Sequence, residues 1–248
     1  MDLKFGKLPA KLDVRTLRFE TYLRKPQVPD IPITFNVDWR FIQIIESRMF
    51  LNDTFGCCVI SGRANQTLRL ECRETDIVPD ITDEAIKAEY FKESGGADSG
   101  LYMLDSLKCW RKGWKICENS QVYTIHAFAE VDRFNQELLC AGIFLLNGLQ
   151  IGFSVPQSAM DQFYSDQVWD VVQYDGGIKG GHCVYPFAYN EQGPVVWTWA
   201  KEQQTTWAFV RKYWDEVYAV VDSRNPWLGN RSPLDIEQMD RDLALIAV

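Results

Sequence analysis

Two adjacent thiols follow a glycine in the stretch NDTFGCC, and far downstream His182 follows the glycine-rich loop DGGIKGG. A cysteine and a histidine are the minimum set for nucleophilic acyl transfer. The thiolate attacks a carbonyl carbon, and the imidazole takes the proton and later returns it. Cys58 is the nucleophile candidate, because it stands where a helix begins and a helix N-terminus lowers a thiol pKa. An acyl-transfer site also needs oxyanion donors. The Cys58 backbone N–H can be one, and the amide of Asn52, six residues upstream, can be the second. Four glycines fall within residues 176–181; they permit unusual backbone angles and close approach of another chain at the rim where His182 sits. The loop is no phosphate cradle, since no Lys-Ser/Thr follows its last glycine. His126 lies inside the alternating strand VYTIHAFAE, the ordinary setting of a structural histidine. Cys57 is either a small buried neighbour or a vicinal partner of Cys58.

Composition excludes several other chemistries. The chain of 248 residues carries a net charge of −8, with a sequence pI near 4.9. Such a balance repels phosphate backbones, so no nucleic-acid partner is expected. The most basic stretch, KCWRKGWK, reads as a helix end. The first residues, MDLKFGKLPAKLDVR, contain no apolar signal-peptide core. The longest apolar run, LLCAGIFLLNGLQIGF, is interrupted by Asn147 and Gln150, so no membrane partner is expected. Seven cysteines without a CxxC pair imply reduced thiols and a cytoplasmic setting. With two histidines in the chain, neither metal nor cofactor is expected.

The elements that must position these residues divide the chain in two. Residues 1–45 read as an extended arm, with Pro26, Pro29 and Pro32 holding 24–34 extended. Helices follow at 58–73, at 81–94 with Thr82 as N-cap and Gly95-Gly96 as stop, and at 100–113. Beyond them, 121–131 alternates as a strand, 133–147 is a buried helix, and 149–156 is a strand. A hairpin spans 180–200 and turns at NEQG; a short amphipathic segment at 205–214, a strand at 216–222 and a last helix at 234–246 complete the chain. Helices first and strands later imply an α+β fold with segregated elements.

In this order and spacing the sequence resembles the papain-like cysteine peptidases. The matching residues are Asn52, Cys58 and its helix, then GGHCVYPFAY with Tyr189 seven residues past His182, then VVWTW. The whole chain is also similar to papain-fold proteins encoded in bacteriophage and prophage genomes. GKLPAKLDVRTLRFETYL, NDTFGCC, WRKG, IGFSVP, GGHCV, TWAKEQQTTWAFVRKYWDEVYAVV and DIEQMDRDLALI carry that likeness. The resemblance implies a helical left subdomain (46–118), a β-rich right subdomain (119–223), a cleft between them and a C-terminal segment (224–248). It implies Cys58 as nucleophile, His182 as base and Asn52 in place of the family's glutamine. The family's orienting asparagine is missing. Aligning on Trp199 puts Trp197 at its place, and counting from His182 puts Thr198 there.

Two readings follow. One is a cysteine peptidase or amidase acting on a protein or peptide in the cleft. The other is a catalytically weak papain-fold virion component, bound to phage structural proteins or to itself through the arm. Both place the chain in the cytoplasm of a bacterial host, and the second also in an assembled particle.

Overall fold

The computed structural model describes residues 3–36, 46–118, 120, 122–222 and 232–246. The readings on 37–45 and 223–231 lie outside the described residues.

Helix α1 (Cys58–Thr75) is the axis of the helical half. Its sequence mixes Val59, Ala64 and Leu68 with Ser61, Arg63, Asn65 and Gln66, yet all of these are buried. A helix enclosed on all sides must satisfy its polar side chains internally. Asn65 therefore bonds both backbone groups of Arg48, Ser61 bonds Phe50 O, and Gln66 accepts from Gln150. Helix α2 (Asp83–Glu93) starts on Thr82, whose side chain accepts from Ala85 N. Helix α3 (Met103–Lys112) begins three residues later than the sequence suggests, because Leu101 is bonded to the arm instead. Gly113 ends it at φ 99°, a conformation that glycine adopts without strain.

A two-stranded ribbon, β1 (Trp114–Lys115) with β2 (Val122–Tyr123), leads into β3 (Ile125–Glu130). Helix α4 (Gln136–Leu146) is capped by Asn135 and closed by Asn147 at φ 59°. Strand β4 (Leu149–Pro156) runs into α5 (Gln157–Tyr164), a helix the sequence reading did not include. Then come β5 (Ile178–Tyr189), β6 (Pro194–Thr198), β7 (Lys201–Gln204), α6 (Trp207–Tyr213), β8 (Trp214–Asp222) and α7 (Ile236–Ile246). The expected hairpin over 180–200 is present as β5 and β6, turning at 190–193, and a further strand, β7, follows it. Trp199 and Ala200, at φ 44° and 62°, make a tight turn into β7 without any glycine.

The six strands form one antiparallel sheet in the order β3-β8-β4-β5-β6-β7. One apolar cluster lies among β4, β5, β8, α4, α5 and α6; a second fills the space between α1 and the other side of β5. Alternation along β5 sends successive side chains to opposite sides, so Cys183 joins the α1 cluster while the His182 ring packs on Phe153.

The arm circles this body. Lys11 pairs with Asp105 and Asp13 with Lys108, both on α3. Leu17, Phe19 and Tyr22 enter the sheet-side core, and Tyr22 donates to Asp242 of α7. Phe35 pairs with Tyr189 at the end of β5. Lys25–Gln27 is a short 3₁₀ turn rather than extended chain, because the fixed φ of Pro26 suits a first helical turn.

Candidate active site

Cys58 is the first residue of α1 and is fully buried. Cys57, the residue before it, turns inward. Its thiol contacts Phe50 O at 3.4 Å and Ser61 Oγ at 3.5 Å, so it packs as part of the turn. All seven cysteines are free thiols.

His182 lies on β5 opposite Phe153 of β4. Trp199 stacks on its ring at 4.0 Å and 13°, and Phe5 and Phe153 meet it edge-on. His182 Nε2 is 2.7 Å from Thr198 Oγ1. Its other nitrogen, Nδ1, is buried and bonds to nothing among the described residues. With Nε2–H donating to the hydroxyl, Nδ1 keeps the lone pair, which is the tautomer a base requires. Of the two residues offered for the orienting position, Thr198 touches the histidine. Trp197 faces the other way, against Arg69 at 4.7 Å and Phe187 at 5.1 Å. His126 is elsewhere, on β3, 2.8 Å from Asp240 of α7.

The groove over Cys58 is filled by the arm. Lys4 N donates to Asn52 O, and Asn52 Nδ2 donates to Lys4 O at 3.3 Å and to Phe55 O at 3.2 Å. Gly6 N and Lys7 N both donate to Gly181 O, the carbonyl before His182. On the helical side Leu101 N donates to Gly6 O at 2.7 Å, and Leu8 N donates to Leu101 O at 2.9 Å. A β-carbon on Gly6 would lie 1.6 Å from Gly56 O, so only glycine fits there. Lys7, itself buried, places its ammonium 2.8 Å from Asp215 and 3.2 Å from Glu216 at the start of β8.

This enclosure sets the protonation states. Burial pushes the Cys58 thiol up to about 11, against smaller favourable effects from backbone amides of Cys183, Gly6 and Lys7 and from the Lys7 charge. Burial brings His182 down to about 3. With the arm in place Cys58 is a neutral thiol and His182 a neutral imidazole, whose Nδ1 makes no hydrogen bond among the described residues.

Sequence reasoning did not single out Phe5, Gly6, Lys7, Cys183, Asp215 or Glu216. They fall within the segments FGKLP, GGHCV and YWDEVYAVV, none of which by itself ties the arm to β8. Among the described residues no group of His, Cys, Asp and Glu is placed to hold a metal ion. No helix among them is long and apolar enough to cross a membrane.

No protein-family model matches the sequence, and no curated protein matches it either. Solved structures do. Xylellain, a cysteine protease from Xylella fastidiosa, superposes with a TM-score of 0.64 at 15% identity, covering 89% of this chain and 97% of that one. A proCathepsin B from Trypanosoma congolense gives 0.62 at 13%, covering 88% and 85%. A cysteine protease of Carica candamarcensis gives 0.55 at 14%, covering 77% and 99%. At such identities the likeness fixes the fold, and the fold is papain-like, with its helical and sheet-rich parts in the expected order.

Proposed function

We propose that the chain is a papain-like cysteine peptidase or amidase held latent by its own N-terminal arm. The observation that carries this is the His182 arrangement: one ring nitrogen held by Thr198 at 2.7 Å, the other buried and unbonded, on the strand against the helix that Cys58 begins. Once the arm leaves, water reaches both groups, and the desolvation that raises Cys58 and lowers His182 is relieved. Cys58 then attacks an amide carbonyl, and His182 Nδ1 takes the thiol proton and passes it to the leaving amine. Asn52 Nδ2 exchanges Lys4 O for the oxyanion, with Cys58 N–H as the second donor. Thr198 keeps the imidazole in register.

The test is alkylation of Cys58 followed by mass spectrometry, on the intact chain and on a Gly6→Val variant that cannot seat its arm. Selective modification in the variant, lost with His182→Ala, is the expected result. A Cys58 no more reactive than exposed thiols in the variant would overturn the reading.

A second reading rests on how tightly the arm is seated. A permanently filled groove suits a papain-fold structural component, for which this second reading proposes phage structural proteins as partners. Both readings keep the chain in a bacterial cytoplasm. Recovery in purified particles together with an inert Cys58 in the Gly6→Val variant would select the second.

A further inference from the structure

The arm also records what the groove accepts. Its sequence there is Phe5-Gly6-Lys7-Leu8, and each of the first three meets a wall made for it. Phe5 packs edge-on to Trp199 at 6.0 Å, and a β-carbon on Gly180 would sit 2.8 Å from its Cβ. Gly6 passes a constriction in which added β-carbons on Gly6 and on Gly100 would collide with backbone oxygens, at 1.6 and 2.4 Å. Lys7 runs over Gly152, where a β-carbon would lie 2.1 Å from Lys7 Cε. The lysine tunnel therefore exists only because residue 152 has no side chain.

At the end of the tunnel two carboxylates converge. Asp215 Oδ1 and Glu216 Oε1 face the ammonium at 2.8 and 3.2 Å. Tyr218 holds the other Glu216 oxygen at 3.0 Å, and Ser154 donates to Asp215 Oδ2 at 3.2 Å. Glu216 is 7% exposed, so without a cation in the tunnel a carboxylate would be buried unpaired. That arrangement is unfavourable and discriminates against neutral occupants.

We infer that the groove is a recognition site for extended peptides carrying glycine followed by lysine, with Asp215 and Glu216 as the residues that read the lysine and Gly152 as the residue that admits it. This names the substrate class of the proposed peptidase and rests on that reading for its catalytic meaning. The recognition itself requires no reactive thiol. The arm is then a resident copy of the ligand, and a peptide added from solution competes with it.

The experiment uses the full chain in two arm-displaced forms, Gly6→Val and Lys7→Ala, so that a folding defect in one leaves the other. Binding of fluorescein-labelled Lys-Phe-Gly-Lys-Leu-Pro is measured by anisotropy beside the same peptide with its second lysine replaced by glutamine. The lysine peptide is expected to bind about tenfold or more tightly than the glutamine peptide. Adding Asp215→Asn and Glu216→Gln together should erase the difference, and the unaltered chain should bind neither peptide well. Equal binding of both peptides, or no binding by a folded displaced variant, overturns the inference. Alkylation of Cys58 in the same variants separates the two claims. Lysine-dependent binding with an inert Cys58 sinks the peptidase alone, and a reactive Cys58 without lysine preference sinks the recognition site alone.

Discussion

Thr198 Oγ1 stands 2.7 Å from His182 Nε2, on the neighbouring strand and on the same side of the sheet. The contact gives the imidazole one fixed nitrogen and leaves the other free. Thr198→Val keeps the shape but orphans a buried ring nitrogen. It should destabilise the fold by about 1–3 kcal/mol in urea unfolding and slow alkylation of Cys58 in the Gly6→Val background. Thr198→Asn, which can still bond Nε2, should recover most of that rate. Equal rates for Val and Asn would remove Thr198 from any positioning role.

His182 also gives the fold a pH signature. Burial holds its pKa near 3, below the unfolded value near 6.5. Between those values the unfolded chain binds a proton that the folded chain does not. Stability is therefore complete above the unfolded pKa and falls as pH drops through the window, by about 1.4 kcal/mol per pH unit at most. Urea midpoints measured from pH 7 to 4 should fall less steeply for His182→Gln than for the parent chain. Parallel slopes would show that the ring is not buried uncharged.

Cys58 should be the slow thiol of the intact chain. With its pKa near 11, only about one molecule in a thousand carries the thiolate at pH 8. Iodoacetamide should label the half-exposed Cys109 and Cys117 first. In Gly6→Val the order should reverse at Cys58, with a rate gain of about tenfold or more. Peptide mapping by mass spectrometry reads both.

Arg63 is the structural keystone of the helical half. Its guanidinium is 2% exposed, lies 2.7 Å from Glu93, which is 3% exposed, and packs over Trp114 at 4.9 Å. Burial raises the Glu93 pKa and Arg63 opposes that rise. Arg63→Met should cost about 3–5 kcal/mol, because a buried carboxylate is left without its cation. Adding Glu93→Gln should return a large part of it. Denaturant unfolding of the two variants gives the comparison.

Local chemistry was legible in the sequence wherever it was locally dictated. Strand 149–156 and the helix starts at Cys58 and after Thr82 follow from periodicity and caps. Strand β7 was hidden because Trp199 and Ala200 turn the chain through positive φ without the glycine that normally announces it. The choice between Trp197 and Thr198 hung on the parity of β6, which spacing alone does not give. Lys7 and its partners Asp215 and Glu216 lie at opposite ends of the chain, and nothing local ties them together. Asn52, Cys58 and His182 are the candidates that residue type and spacing offer, whereas the arm that lies over them is not legible, because an irregular segment takes its conformation from the walls it meets.

The arm is anchored in the groove by residues 4–8 and beyond it by Leu17, Phe19 and Tyr22, with Leu12 and Val14 almost fully solvent-exposed between the two anchors. A single cut in that exposed span breaks no contact in the groove. It does change the groove's occupant from a tethered ligand, at an effective concentration of about millimolar, to a free oligopeptide at the concentration of the protein itself. Dilution alone then empties the groove, so nicked and intact chains of identical fold should differ in whether their behaviour depends on protein concentration.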